Sequence, residues 1–194
     1  MCIRDSDKLY GVQTLRGIEN FRISNFKLSD YPEFIAGLAI TKMAAAIANR
    51  ELGVLPADKE KVILEACREI LEGKYRDQFP VDMIQGGAGT TTNMNINEVV
   101  TNRALELMGH KPGEFKYLSP NDDVNCAQST NDAYPTSIHV GLWYASRRFL
   151  KHYRKLIDSL LAKAEVFKDI VKIGRTQLQD AVPMTLGQTF HGFA

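Results

Sequence analysis

A mainly α-helical fold is what this sequence predicts. Segments that open on Asp or Pro and close on Gly enclose apolar bodies. A single apolar stripe runs at helical spacing through the second half. No stretch shows clean strand-like alternation.

The first helix is read over Asp30–Gly53, "DYPEFIAGLAITKMAAAIANRELG", where Asp and Pro suit the start, the body is Ala-rich, and Gly53 suits a left-handed cap. The second, "PADKEKVILEACREILEG", places Val62, Ala66, Ile70 and Leu71 near one face and stops at Gly73, so it is expected to pair with the first. The third, "TTNMNINEVVTNRALELMG", closes at Gly109 and comes after the glycine-rich "QGGAGT", Gln85 to Thr90. From Gly113 to Asn125 the residues are turn formers, and Pro120, Asn121 and Asp122 argue against a regular element. Then Ile138, Leu142, Ala145, Phe149, Tyr153, Leu156, Leu160, Ala164 and Phe167 trace a stripe along one helix. Such a helix would extend about 45 Å at about 1.5 Å per residue, a length found in bundles whose partners cover the stripe.

Bulk properties narrow the function. With 44% hydrophobic and 24% charged residues, the chain of 194 can bury a core. Its net charge of +1 gives no field for nucleic acid or an anionic membrane, so any anion must be bound locally. Three cysteines, Cys2, Cys67 and Cys126, have no paired spacing and fit a reducing compartment. With no apolar run of membrane-spanning length and no secretory signal, a cytoplasmic location is expected. Met1–Ser6, "MCIRDS", blends poorly with the residues after it and is set aside, and the helix-compatible pattern that stops at Ala194 is expected to belong to a fragment.

Three stretches are polar where a structural loop needs no such chemistry: "GGAGTTTNMNINE", "QSTNDAYPT" and "GRTQLQDAVP". In the first, Gly86, Gly87 and Gly89 let the backbone approach a ligand, with Thr90, Thr91 and Asn93 as donors beside a helix start. In the second, Ser129, Thr130 and Asn131 stand where a helix begins, with Pro135 in its first turn or at its boundary. One such side chain caps a helix; three make a carboxylate cradle. The third places Arg175, Thr176, Gln177 and Gln179 ahead of a helix expected to start at Pro183. A plain glycine loop with Thr91 as its cap, and a redundant cap at Ser129–Asn131, remain the structural alternatives. The pattern suggests a small dicarboxylate or another multi-oxygen anion held by neutral donors. There is no HExxH, CxxC, Walker loop or GxGxxG, and the four histidines, His110, His139, His152 and His191, show no ligand spacing.

Taken together, "GGAGTTTNMNINEV", "LSPNDDVNCAQSTNDAYPT" and "GRTQLQDAVPMTLGQ", with "YGVQTLRGIENFRIS" and "DQFPVD", resemble the aspartate ammonia-lyase and fumarase superfamily, and its aspartase branch most. The resemblance runs from about Leu9 to Ala194. It implies a helical domain over residues 7–128, then the beginning of a central long-helix bundle domain over residues 129–194. It also implies a homotetramer with each active site shared among three subunits, and a reversible β-elimination of aspartate to fumarate and ammonia. By resemblance, Thr90, Ser129, Thr130, Asn131, Thr176 and Gln177 bind the substrate. No cofactor is required; divalent-cation activation is compatible with the family, and nucleic-acid or membrane partners are not expected.

Three departures from the family pattern matter. Gln177 stands where fumarases and some aspartases carry His in "GRTHLQDA", and an amide cannot take up a proton near neutral pH. "QSTND" in place of the fumarase-like "QSSND" points the same way, towards an ammonia-lyase and away from a hydratase. Thr189 replaces the Glu of "LGQEF". The family's base is a serine on a loop resembling "GSSIMPGKVNP", with Lys and Asn following. No such stretch occurs in these residues, so no catalytic residue is assigned and the chain alone is expected to be inactive and to self-associate. A hydratase of the same superfamily and a noncatalytic helical assembly protein are the alternative readings.

Overall fold

A computed structural model describes residues 8–194; Met1–Ser6 lie outside the described residues. The fold is mainly helical, as the sequence predicts. It divides into two compact units, one ending at Tyr144 and one running Ala145–Ala194.

In the first unit, α1 (Val12–Asn20), α2 (Pro32–Glu51), α3 (Ala57–Leu71) and α4 (Thr90–Leu107) pack together, with α2 against α3, α3 against α4, and α1 on α4. Pro32 opens α2 and Gly53, at φ +72°, turns the chain out of it. Leu38, Ile63, Phe79, Ile96, Val99, Leu105 and Leu118 are fully buried and form the centre of the core. Helix α4 is the central element. It buries Asn93, Asn95, Asn97, Glu98, Thr101 and Asn102 along with its apolar residues, so polar groups line the inside of this unit.

Glu98 shows why a carboxylate belongs there. No side chain of α1's own first turn caps it. Instead Glu98, 2% exposed, accepts the N–H groups of Gly11 at 2.7 Å, Gln13 at 2.9 Å and Thr14 at 3.1 Å, together with the Thr14 hydroxyl at 2.6 Å. An anion at a helix N-terminus satisfies its orphan donors and its dipole together. Glu98→Ala should therefore lower stability by about 3 kcal/mol, as several buried donors lose their acceptor. A chemical-denaturation midpoint equal to the parent's would contradict this role.

Several expectations are corrected. The segment Pro120–Val124 forms one π-helical turn, because Ser119 Oγ accepts the Asp122 N–H at 3.1 Å and Asp123 accepts the Ser119 N–H at 2.7 Å. These side-chain caps supply what backbone propensity lacks. The cap of α4 is Gly89 in the left-handed region, and Thr91 lies within the helix. Gln85 serves the helix start instead, accepting the Thr92 N–H at 2.9 Å and donating to Thr92 Oγ1 at 2.8 Å.

The third correction concerns strands. Helix α5 (Thr130–Val166) begins in the first unit and ends in the second. After it, β1 (Val171–Thr176) and β2 (Gln179–Thr185) form an antiparallel hairpin, with a register shift between Ile173 and Arg175. Val171, Ile173 and Val182 are all exposed, so burial imposes no alternation for the sequence to display. Pro183 sits in β2 opposite Ile173, and helix α6 (Leu186–Phe193) starts after it, on a reciprocal cap between Thr185 and Gln188. Pro135 lies inside α5.

Candidate active site

The entrance to α5 and the glycine loop meet in the first unit. A Cβ added to Gly89 would stand 2.3 Å from the ring of Tyr134 in the first turns of α5, so only glycine allows this approach. Tyr134 packs edge-on against Phe34 of α2, at 5.6 Å between ring centres. Gly37 and Gly141 bring α2 and α5 into near-backbone contact, where Ser137 Oγ donates to the Ala133 carbonyl at 2.6 Å and meets Thr41 Oγ1 at 3.0 Å. On the other side, Asp82 accepts from the N–H groups of Ser24 at 2.7 Å and Ile84 at 2.8 Å, which hold its carboxyl at about 2. Its carbonyl accepts from Gln85 at 2.9 Å, which fixes the start of the loop.

Four of the six residues singled out in the sequence lie here. Thr90 is the first residue of α4; it is exposed, and its hydroxyl donates to the Gly87 carbonyl. Ser129 caps α5: its Oγ accepts the Asn131 N–H at 3.2 Å, and its carbonyl accepts the N–H groups of Asp132 and Ala133. Thr130 is half-buried, and its Oγ1 accepts from Asn93 Nδ2 at 3.3 Å, leaving the hydroxyl proton to donate. The Asn131 side chain is exposed one position further on. Thr176 and Gln177 belong to the second unit, where Thr176 ends β1 and Gln177 begins the two-residue turn; both are exposed. Arg175 and Asp180 pair across the hairpin behind them at 2.8 Å.

Lys42 is the residue that sequence reasoning missed. It lies in the middle of α2, is 1% exposed, and gives its three protons to Asn93 Oδ1 at 2.8 Å, Gln128 Oε1 at 2.9 Å and Asn125 Oδ1 at 3.0 Å. Asn125 Oδ1 also accepts from Asn93 Nδ2 at 3.0 Å and Asn97 Nδ2 at 3.2 Å. The signal was a lysine at the buried spacing Leu38, Lys42, Ala46, Asn49 within an otherwise apolar Ala-rich helix.

All three acceptors are neutral amides. Burial pulls the Lys42 ammonium down to about 7. The nearby Cys67 thiol is pushed up to about 12 by its own complete burial, so it stays neutral and supplies no counter-charge. A buried cation with neutral acceptors only is costly, and an anion arriving nearby relieves that cost.

The hydrogen bonds have a direction. Lys42 donates to the oxygen of Asn93, and the amide nitrogen of Asn93 donates to Thr130 Oγ1. A hydroxyl that accepts from a polarised donor becomes a better donor itself. Thr130 thus presents its proton with a positive charge two hydrogen bonds behind it. What this arrangement can do chemically is bind a carboxylate and stabilise further negative charge on it. Among the described residues, no group of three His, Cys, Asp or Glu side chains gathers as a metal site would require.

The chain is similar to several known proteins. The aspartate ammonia-lyase of Pseudomonas aeruginosa is 58% identical over 189 residues, which make up 97% of this chain and 40% of that protein. The aspartate ammonia-lyase of Escherichia coli K12 is 55% identical over 190 residues, again 97% of this chain and 40% of the relative. Among solved structures, the fumarate lyase:delta crystallin of Brucella melitensis in native form has a TM-score of 0.83 at 48% identity, covering 96% of this chain and 44% of that one. The same protein bound to cobalt gives 0.86. The chain thus spans about 40% of the length of the curated relatives it matches. The sequence profile of the Lyase family matches residues 3–194, and the chain belongs to that family.

Proposed function

We propose that a full-length lyase carrying this segment catalyses the reversible β-elimination of L-aspartate to fumarate and ammonia. The observation that supports it most is the chain from Lys42 through Asn93 to Thr130 at the entrance of α5. A base takes the C3 proton, and the C–H electron pair moves into the adjacent carboxylate, which becomes an enediolate-like dianion. That pair then forms the C2–C3 double bond as the C2–N bond breaks and ammonia leaves with its electrons. The difficult step is the first, because the carbon is weakly acidic, and donors aimed at the developing dianion lower its barrier most.

In this reading Thr130 meets the carboxylate on which charge develops, with Ser129 and Asn131 beside it for the carboxylate and amino groups. Thr90 joins from the glycine loop, and Thr176 and Gln177 serve as further substrate donors. The base is assigned to none of these residues. The elimination needs no organic cofactor, and a divalent cation, such as the cobalt bound by the Brucella relative, enters only as an activator. The active form is a cytoplasmic homotetramer, in which partner helices cover exposed side chains of α5 such as Leu142, Phe149 and Leu156. No helix among the described residues is long and apolar enough to cross a membrane.

The test is substrate preference. L-Aspartate should yield fumarate and ammonia in equal amounts, with L-malate converted at least about 10²-fold more slowly, as expected when a site built for one leaving group is offered another. Faster turnover of malate would replace the ammonia-lyase by a hydratase.

A further inference from the structure

Five non-glycine residues among those described have left-handed backbone angles: Tyr75, Ala88, Ala127, Gln177 and Leu178. Ala88, Gln177 and Leu178 fall in two of the donor-rich stretches, and Ala127 stands immediately before the third. Ala88 lies in the glycine loop, Ala127 between Cys126 and Gln128, and Gln177–Leu178 form the hairpin turn. L-residues pay a steric penalty in this region, and such conformations persist where the surroundings over-determine them. At Ala127, φ is +53° and the methyl group is exposed, so no packing accounts for the choice of residue.

The surroundings of Ala127 show what it holds. The Gln128 N–H donates to the Asn125 carbonyl at 3.1 Å, which closes a four-residue turn with Ala127 in third place, where Gly or Asn is usual when φ is positive. The side chain of Asn125 returns to the Gln128 carbonyl at 3.1 Å, and Asn49 of α2 donates to the Cys126 carbonyl at 2.9 Å. The two ends of the turn, Asn125 and Gln128, both accept from Lys42. Directly after it comes Ser129, whose hydroxyl and carbonyl organise the first N–H groups of α5.

We propose that Ala127 is a positioning residue, whose restricted left-handed backbone locks the Asn125–Gln128 turn and so fixes Ser129, Thr130 and Asn131 for the dianion. Glycine would adopt the same turn with less strain and far more freedom in its alternatives. The natural alanine therefore accepts local strain in return for a narrower set of entrance geometries. This inference rests on the elimination reading for its catalytic consequence, while its structural content stands apart from it.

Two readouts on Ala127→Gly and Ala127→Asn, in a full-length lyase carrying this segment, decide the matter. Asn is the control, because it accepts left-handed angles more readily than other side-chain-bearing residues. In Ala127→Gly, amide hydrogen exchange at Asn131, Asp132 and Ala133 should speed up about tenfold, while the global melting temperature is unchanged or higher. kcat/KM for aspartate should fall about tenfold, carried by kcat more than KM, since misplaced donors cost most in the transition state. Ala127→Asn should recover both. Exchange at those amides equal to the parent's would overturn the proposal whether or not aspartate is the substrate. So would unaltered kcat/KM in an aspartate-active parent, or a loss that Ala127→Asn fails to recover. A parent with no aspartate activity would instead refute the elimination reading, with the exchange result still deciding the role of Ala127.

Discussion

Lys42→Met should lower kcat/KM for aspartate about 10²-fold in a full-length lyase carrying this segment, the cost expected when transition-state charge loses its stabilising field and alignment. Methionine fills the volume of the lysine stem but gives no proton. The oxygens of Asn93 and Gln128 lose the donor they share, at 2.8 and 2.9 Å, and Thr130 loses the charge that polarises its partner. Stability moves less than activity, because the orphaned amides are offset by removal of a buried cation. The sign with pH follows from the lowered value. Between about 7 and 10.5 the folded protein holds fewer protons here than the unfolded chain, so this group's contribution to stability grows as pH rises across that window. For the free enzyme the ammonium is present below about 7 and lost above it. Binding of a dicarboxylate should therefore weaken as pH rises through that value, and Lys42→Met should abolish this dependence. A pH-independent affinity in the parent, or a variant with parental kcat/KM, would remove Lys42 from the site.

Thr130→Ala should also lower kcat/KM about 10²-fold, the loss seen when one donor to developing negative charge is removed. The helix should survive, because Ser129 supplies the cap and Thr130 contributes only its hydroxyl to Asn93. The two substitutions act on one hydrogen-bonded chain, so the double variant should lose little more than the larger single loss. Losses that multiply, with each variant's circular dichroism like the parent's, would show that Lys42 and Thr130 act separately.

Helices α2, α3, α4 and α5 are legible because their signals are local. Pro32 and Gly53 mark the ends of α2, and a stripe from Ile138 to Ala164 marks α5, whatever the rest of the chain does. The hairpin is not, since both of its faces carry exposed residues and its turn uses Gln177 and Leu178 at positive φ, where Asn and Gly would have announced it. The π-helical turn at Pro120–Val124 rests on Ser119 and Asp123 bonding back to nearby backbone, which composition alone reads as loop.

The candidate site divides along the same line. Hydroxyl and amide residues crowded at a helix entrance are visible in sequence. A lysine in an apolar helix is visible too, but its meaning is not. Only the fold brings Asn93, Asn125 and Gln128, which lie 51, 83 and 86 positions away in the chain, onto one ammonium. In sequence Asn93 reads only as a donor near the glycine loop; in the fold it carries the field of Lys42 to Thr130.

Catalysis by this network requires that it hold the dianion more tightly than the substrate or product. The most direct measurement compares two ligands in the parent and in Thr130→Ala: fumarate, and a nitronate analogue whose two oxygens each carry a formal negative charge, as those of the enediolate would. Calorimetric titration should show the nitronate weakened about 10²-fold, matching the loss in kcat/KM, with fumarate weakened much less. Equal weakening of both ligands would show that Thr130 binds all states alike, and would contradict the claim that the chain from Lys42 to Thr130 stabilises the charge formed in the reaction.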